Sequence, residues 1–169
     1  MGEVFTLIRN KHAVRQFAPD PLPEEAVHTI LEAGRLSGSA KNRQPWHFVA
    51  VRARSTLEQL ARCGAYAGHL AGAALGVALV TPDPFERLTV PFDLGRAAQS
   101  MMLTAWSLGI GSVMATIYQP GRACEALGVP PDLTIPWCIS FGYPAVSQDR
   151  PPRRGGRRTH EEVVHYERW

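Results

Sequence analysis

The sequence predicts one layered domain of the α+β or α/β class, in which short strands alternate with helices. The first observation is a continuous apolar run at 75–80, which has the length of a central strand. The second is a longer segment, 92–108, whose apolar residues recur at helical spacing. The third is size and composition: 169 residues with 45% hydrophobic side chains suffice for one domain with its own core.

The first predicted helix starts at Pro23, because proline is tolerated in a first turn and carboxylates favour the positive end of the helix dipole. Those carboxylates belong to Glu24 and Glu25. The buried face of this helix is predicted to contain Val27, Ile30, Leu31 and Gly34. Strands are then predicted at 47–52 and at 75–80.

The helix at 92–108 has the strongest periodicity in the chain, and Gly109 and Gly111 end it. Its apolar stripe is predicted to consist of Leu94, Ala97, Ala98, Met101, Met102, Ala105 and Leu108. We expect this stripe to make both core and dimer contacts, because it is wide for one subunit to cover. A strand at 112–117, a short helix at 122–127 and a strand at 135–141 complete the prediction.

The cysteines and the apolar runs indicate a cytoplasmic protein. Cys63, Cys124 and Cys138 lie far apart without a C-x-x-C pair, so they are interpreted as reduced core thiols. The apolar runs are shorter than the roughly 20 residues of a membrane-spanning helix. The N-terminus also lacks the basic start and long apolar stretch of a secretory signal.

Positive charge is concentrated near the C-terminus, in Arg150, Arg153, Arg154, Arg157 and Arg158. The surrounding segment 148–156 is rich in proline and glycine and is predicted to be a loop. Such a run is a candidate nucleic-acid tail. It contains no interleaved aromatic residues, however, and the apolar residues of an arm follow it, so an anionic small molecule is favoured and no nucleic acid is expected.

The segment Lys-His-Ala-Val-Arg-Gln-Phe at 11–17 resembles the basic N-terminal motif of the nitroreductase family of FMN-dependent oxidoreductases. The resemblance implies that Lys11, His12 and Arg15 hold the FMN phosphate, since cationic side chains neutralise phosphate through charge-assisted hydrogen bonds. Ala13 stands where the family usually has a hydroxyl. One phosphate hydrogen bond is therefore either missing or made by a backbone amide.

The loop Ser-Gly-Ser-Ala-Lys-Asn-Arg-Gln-Pro-Trp-His-Phe at 37–48 is similar to the family's Ser-x-x-Asn-x-Gln-Pro-Trp-x-Phe loop. The resemblance implies flavin contacts from Ser39, Ala40, Asn42 and Gln44. Side-chain amides match the alternating acceptors and donor of a flavin pyrimidine edge, and small residues admit a planar ligand. The alternative is a plain turn between helix and strand, with Trp46 and Phe48 in the core.

Two further regions extend the resemblance over nearly the whole chain. The helix at 92–108 resembles the family's central helix, and Met114, Ala115 and Thr116 fall where the family's backbone lies against the flavin ring. Segments 126–131, 139–144 and 156–165 are similar to the family's Leu-Gly-x-Pro, Gly-Tyr-Pro and C-terminal arginine elements. Arg157 and Arg158 thereby fall on phosphate-binding positions. Thr159 and His160 replace the family's proline and leucine.

The resemblance implies an α+β nitroreductase-like fold, with a central mixed, mainly antiparallel sheet flanked by helices, in an interlocked homodimer. It implies a single FMN-binding domain over 1–169, whose C-terminal arm, 157–169, extends onto the partner subunit. Apolar residues of this arm need a surface that buries them. The segment 81–91 is shorter than in longer family members, which have extra helices here, so an open flavin face is expected.

The implied activity is hydride transfer from NADH or NADPH through flavin N5 to a small acceptor such as a nitroaromatic or a quinone. No protein acid, base or metal site is nominated. His12 is the only histidine placed in the site. The other histidines lack metal-ligand spacing and are His28, His47, His69, His160 and His165. The alternatives are a relative that fragments flavin, removes halogen or binds a deazaflavin, and a non-catalytic flavin-binding dimer.

Overall fold

Four strands and six helices make up the chain over residues 2–145 and 156–169, which the computed structural model describes. The helices are α1 Glu3–Asn10, α2 Glu24–Arg35, α3 Arg54–Ala61, α4 Thr89–Ser107, α5 Pro120–Leu127 and α6 His160–Val163. The strands are β1 His47–Val51, β2 Leu75–Thr81, β3 Gly111–Thr116 and β4 Thr134–Gly142. Two short 3-10 helices cover Ala40–Asn42 and Gly68–Gly72.

The strands form one sheet in the order β1-β2-β4-β3, and every neighbouring pair is antiparallel. An isolated parallel bridge joins Ala13 to Ser112 at the outer edge of β3. The predicted strands are all confirmed. β2 is buried along its whole length, as its unbroken apolar run predicts, because it lies between β1 and β4 with both faces covered.

Helices cover both faces of the sheet, which makes a three-layer α+β domain. Alternate side chains of β2 point to opposite faces. Leu75 and Val77 therefore pack in a core with α2 and α4, whereas Ala78 packs in a second core with α3 and α5. β3 lies at one edge of the sheet, so its outer side is available to other parts of the chain.

A single subunit already buries the apolar stripe of α4. Leu94, Ala97 and Met101 are fully buried against α2 and the sheet. The expectation that this stripe also supplies a dimer surface is therefore wrong for these positions. Leu108, which follows the helix, is 44% exposed. Exposed large apolar side chains are also present on α1, on the C-terminal arm and at Phe92 of α4, which is 69% exposed.

Cys63 and Cys138 are buried free thiols, as predicted, and Cys124 is partly buried. Burial raises the pKa of the Cys138 thiol to about 12, with a further contribution from Cys63. No helix within 2–145 or 156–169 has both the length and the apolar character needed to cross a membrane.

Candidate functional site

The basic segment around Lys11 is fixed against the start of the edge strand β3. The Val14 amide donates a hydrogen bond to the Ser112 carbonyl at 3.1 Å, and Ala13 pairs with the same residue. Val14 is fully buried, whereas Ala13 and Arg15 on either side of it are exposed. The Val14 amide is therefore already bonded and is not the donor that replaces a hydroxyl at position 13.

A partly buried cation lies on this segment without an acidic partner. The Lys11 Nζ contacts the Met102 sulfur at 3.6 Å, and burial lowers the pKa of Lys11. Across residues 2–145 and 156–169, neither Lys11 nor Arg15 forms an ion pair with a carboxylate. The His12 ring stacks edge-on against Trp106, with ring centroids 4.7 Å apart. Lys11 and Arg15 thus carry positive charge that no carboxylate pairs with among the described residues.

A buried hydroxyl lies beside Ala13, although Ala13 itself has none. Ser112 is 1% exposed, and its Oγ has no hydrogen-bond partner among the described residues. Farther along β3, Met114 is 43% exposed and Thr116 is also exposed, while Ala115 is buried. Among the described residues, β3 pairs along its length with β4 and on its outer side only at the Ala13–Ser112 bridge, so these residues leave its outer backbone edge near Met114 uncovered.

His69 lies close to Arg15, although it was expected outside the site. Its Nδ1 is 2.8 Å from the Ser140 Oγ on β4. Burial lowers the pKa of His69, and the positive charge of Arg15 lowers it further. No sequence motif indicates this neighbourhood, because it arises from the folding of the Gly68–Gly72 turn over β4. The prediction that His69 lies outside the site stays a prediction.

The small-residue loop is a tight turn with three non-glycine residues in the left-handed region. Lys41, Asn42 and Gln44 have φ angles of 53°, 53° and 49°. The Gln44 amide N–H donates to the Ser39 Oγ at 2.9 Å, and its side-chain amide donates to Asn42 Oδ1 at 3.2 Å. The side chains of Asn42 and Gln44 are exposed, as a flavin-contacting role requires. Trp46 is buried in the core, in agreement with the structural reading of that position.

Ala40 of the loop and His12 of the basic segment contact well-separated positions on α4. The Ala40 amide donates to Asp93 near the start of the helix, whereas His12 contacts Trp106 near its end. Asp93 and Trp106 are separated by about 20 Å along the helix axis, at about 1.5 Å per residue. Within one subunit the Ala40 end of the loop is therefore remote from His12, whereas its first residue, Ser37, bonds to Ser100, two residues before the Met102 that Lys11 contacts.

The third group of predicted residues, Arg157 and Arg158, lies on an uncovered C-terminal arm. All of 156–169 is exposed except Val164, which is partly buried. Thr159 caps α6: its Oγ1 accepts from the Glu162 amide, and the Glu162 carboxylate accepts from the Thr159 amide. The residue that replaces the family's proline thus begins the helix by a capping box. Arg150, Arg153 and Arg154 lie outside the described residues, as does most of the predicted loop 148–156.

A cavity of about 610 Å³ opens at the C-terminal end of β3. Its lining includes Thr116, Phe85, Tyr118 and Trp137. This volume is typical of small-molecule sites. No helix interrupts the segment between β2 and α4, and Phe85 within it is 90% exposed, which agrees with the expected short cover. Nowhere in the described ranges are three metal-ligating side chains clustered to hold an ion.

The sequence matches the family model described as the nitroreductase family over residues 8–65 and 61–143. This chain belongs to the nitroreductase family. Over the full length of both chains it is 29% identical to an Archaeoglobus fulgidus protein whose name describes an NADH dehydrogenase/NAD(P)H nitroreductase. It is 25% identical to the NADPH-flavin oxidoreductase of Vibrio harveyi, over 90% of this chain and 70% of that relative.

A solved structure confirms the nitroreductase fold. The Bacteroides thetaiotaomicron protein, described in the same terms as the Archaeoglobus relative, superimposes with a TM-score of 0.88 at 25% sequence identity. The superposition covers 100% of this chain and 99% of the other. The predicted α+β class and the antiparallel sheet flanked by helices are therefore those of the family.

Proposed function

We propose that this nitroreductase-family protein binds FMN and transfers hydride from NADH or NADPH to a small acceptor such as a nitroaromatic or a quinone. The observation that carries the proposal is the partly buried cation of Lys11, which has no ion pair among the described residues, on a segment bonded to β3. The names of the two relatives, which describe NAD(P)H and flavin oxidoreductases, support the same activity.

The donors on the basic segment fit a terminal phosphate. A phosphate monoester carries about two negative charges at neutral pH, and Lys11, His12 and Arg15 offer cationic or N–H donors with no competing carboxylate in the described chain. Such a dianion would offset the loss of water around Lys11. FMN ends in this group, whereas FAD does not, so FMN is the flavin we propose.

The flavin ring is proposed to lie along the open edge of β3, near Met114, Ala115 and Thr116, with the amides of Asn42 and Gln44 on its pyrimidine edge. When bound, FMN supplies the hydride chemistry. The chain binds and orients it, and no side chain is assigned a proton-transfer role. The cavity beside Thr116 is the proposed acceptor site, because its aromatic lining suits a flat ring.

A second copy of the chain is proposed to complete each site. The Ala40 end of the loop, next to Asn42, contacts Asp93, which is about 20 Å along α4 from the Trp106 that His12 contacts, so a partner subunit is proposed to supply one half of the site. The arm 157–169 would then place Arg157 and Arg158 on the partner's phosphate. Within this proposal 1–169 is one domain, and its reduced thiols are consistent with a cytoplasmic location.

The experiment is to purify the protein, identify any bound flavin by mass spectrometry, and add NADH or NADPH without oxygen. We expect FMN, and bleaching of its absorbance by at least one nucleotide. Recovery of FAD alone, or no uptake of added FMN, would overturn the cofactor assignment. Bound FMN that neither nucleotide bleaches would indicate the non-catalytic flavin-binding dimer instead.

A further inference from the structure

A buried carboxylate near the start of α4 contacts the small-residue loop. Asp93 is 1% exposed, and its Oδ2 accepts a hydrogen bond from the Ala40 amide at 2.9 Å. Its Oδ1 lies 3.7 Å from the Arg96 guanidinium and has no hydrogen bond within the described chain. A buried acid is unfavourable unless it is paired, so this position needs a reason beyond packing.

Three residues on one face of α4 meet three consecutive parts of the loop. Asp93 holds Ala40, Arg96 lies over Gly38, and the Ser100 hydroxyl accepts from the Ser37 hydroxyl at 2.9 Å. A Cβ at Gly38 would come within 2.5 Å of the Arg96 guanidinium, so the approach is close. Side chains on one face of α4 therefore contact successive residues of the loop and hold them in place.

The loop needs such support because its backbone is strained. Left-handed φ angles at Lys41, Asn42 and Gln44 are unfavourable for residues with a Cβ, and they persist where surrounding contacts over-determine them. Thr81 fixes the far end of the loop through a 2.7 Å hydrogen bond to the Pro45 carbonyl. Asp93 fixes the near end, one residue before the strained stretch.

We propose that Asp93 is a positioning residue, which acts through the Ala40 amide to hold Ser39, Asn42 and Gln44 in the shape that binds the flavin. This inference rests on the proposed function of the loop. It also means that the Ala40 N–H is used within the protein, so any contact of Ala40 with the flavin is made by its other atoms.

The test compares D93A and D93N with L57A, a control that opens the opposite core without touching the loop. Two readouts are used: FMN dissociation constants measured well below the unfolding temperature, and trypsin cleavage after the exposed Lys41 and Arg43. We expect D93A to weaken FMN binding about 10- to 100-fold, the scale of one hydrogen bond to a charged group, and to speed loop cleavage. D93N keeps an acceptor for the Ala40 amide, so it should recover part of the FMN affinity and part of the loop's resistance to trypsin.

L57A should destabilise the fold but leave FMN affinity within about twofold once folding is complete. Unchanged loop cleavage and FMN affinity in D93A, or equal losses in L57A, would overturn the positioning role. Faster cleavage in D93A with no FMN binding by the wild type would support the role of Asp93 in shaping the loop while it refutes the proposed function. If D93A does not fold, FMN affinity and loop cleavage of D93N are compared with those of the wild type and L57A instead.

Discussion

The His69 Nδ1 lies 2.8 Å from the Ser140 Oγ, and the Ser140 Oγ lies 3.3 Å from the Val113 carbonyl on β3. A hydroxyl has a single proton, so Ser140 donates either to the Val113 carbonyl or to His69 Nδ1, and the tautomer of His69 decides which. Burial and the charge of Arg15 both lower the pKa of His69, so the neutral ring is the favoured form.

The first prediction concerns stability at acid pH. Because the folded pKa of His69 is lowered, the unfolded chain binds more protons below the ordinary histidine pKa of about 6.5. The stability that neutral His69 provides is then complete above about pH 6.5 and is lost as pH falls toward the lower folded pKa. Urea denaturation of H69N should show a shallower decline of unfolding free energy over this window. H28N, at an exposed position, is the control; equal slopes in wild type and H69N would contradict the assignment.

The second prediction separates stability from cofactor affinity at Lys11. Replacing this desolvated cation by methionine removes an unpaired charge beside Met102, so K11M should raise the unfolding free energy of the flavin-free protein by about 1 kcal/mol or less. The same change removes a phosphate donor and should weaken FMN binding about tenfold. Thermal melts and flavin titration measure the two effects. A loss of stability together with unchanged affinity would exclude Lys11 from the phosphate site.

The third prediction concerns the stability effects of two serines on neighbouring strands, Ser112 on β3 and Ser140 on β4. The Ser112 hydroxyl is buried without a partner in the described chain, whereas that of Ser140 lies within hydrogen-bond distance of both His69 and Val113. An unpaired buried hydroxyl is destabilising, so S112A should raise the unfolding free energy by about 1 kcal/mol. S140A should lower it by about 1 to 2 kcal/mol, because His69 loses its hydrogen-bond partner. Denaturant titration measures the unfolding free energies of the two variants. Destabilisation of similar size in S112A and S140A would contradict the prediction.

The sequence correctly predicts the helices and strands whose burial follows from the local spacing of apolar residues. The apolar run of β2 is buried on both faces, and the stripe of α4 packs as its spacing requires. Helices α1, α3 and α6 were not predicted. Within the subunit α1 and α6 bury none of their residues and α3 buries only Leu57 and Leu60, so none of them has the long apolar stripe that marks α4. Local signals of this kind are what sequence reading depends on.

In the candidate site, too, the sequence predicts the local motifs and does not predict the contacts between distant residues. Motifs locate the basic segment and the small-residue loop, because each is continuous in sequence. They do not reveal that both pack along α4, that Asp93 bonds to the loop, or that His69 lies within electrostatic range of Arg15. These relationships depend on contacts between distant parts of the chain, which leave no local periodicity or spacing.

The last prediction concerns the C-terminal arm and its link to the cofactor. Val163 is 45% exposed, Tyr166 77% and Trp169 fully exposed, so the described subunit leaves large apolar side chains in water. Helix α1 adds Phe5, which is 52% exposed. Exposed apolar surface of this kind marks an interface. The proposed shared site gives that interface a second consequence, since only the dimer would then bind FMN tightly.

Deleting 163–169 should therefore lower both dimer stability and flavin retention, even though no deleted residue is assigned a flavin contact. The coupling is mass action: a ligand that binds only the dimer stabilises it, and loss of the dimer weakens the ligand in return. Sedimentation velocity and flavin fluorescence on the truncated chain measure the two equilibria, and excess FMN should partly restore the dimer. The variant E167Q, which keeps the arm's apolar residues, is the control. A truncated monomer that holds FMN as tightly as the full chain would refute the shared site.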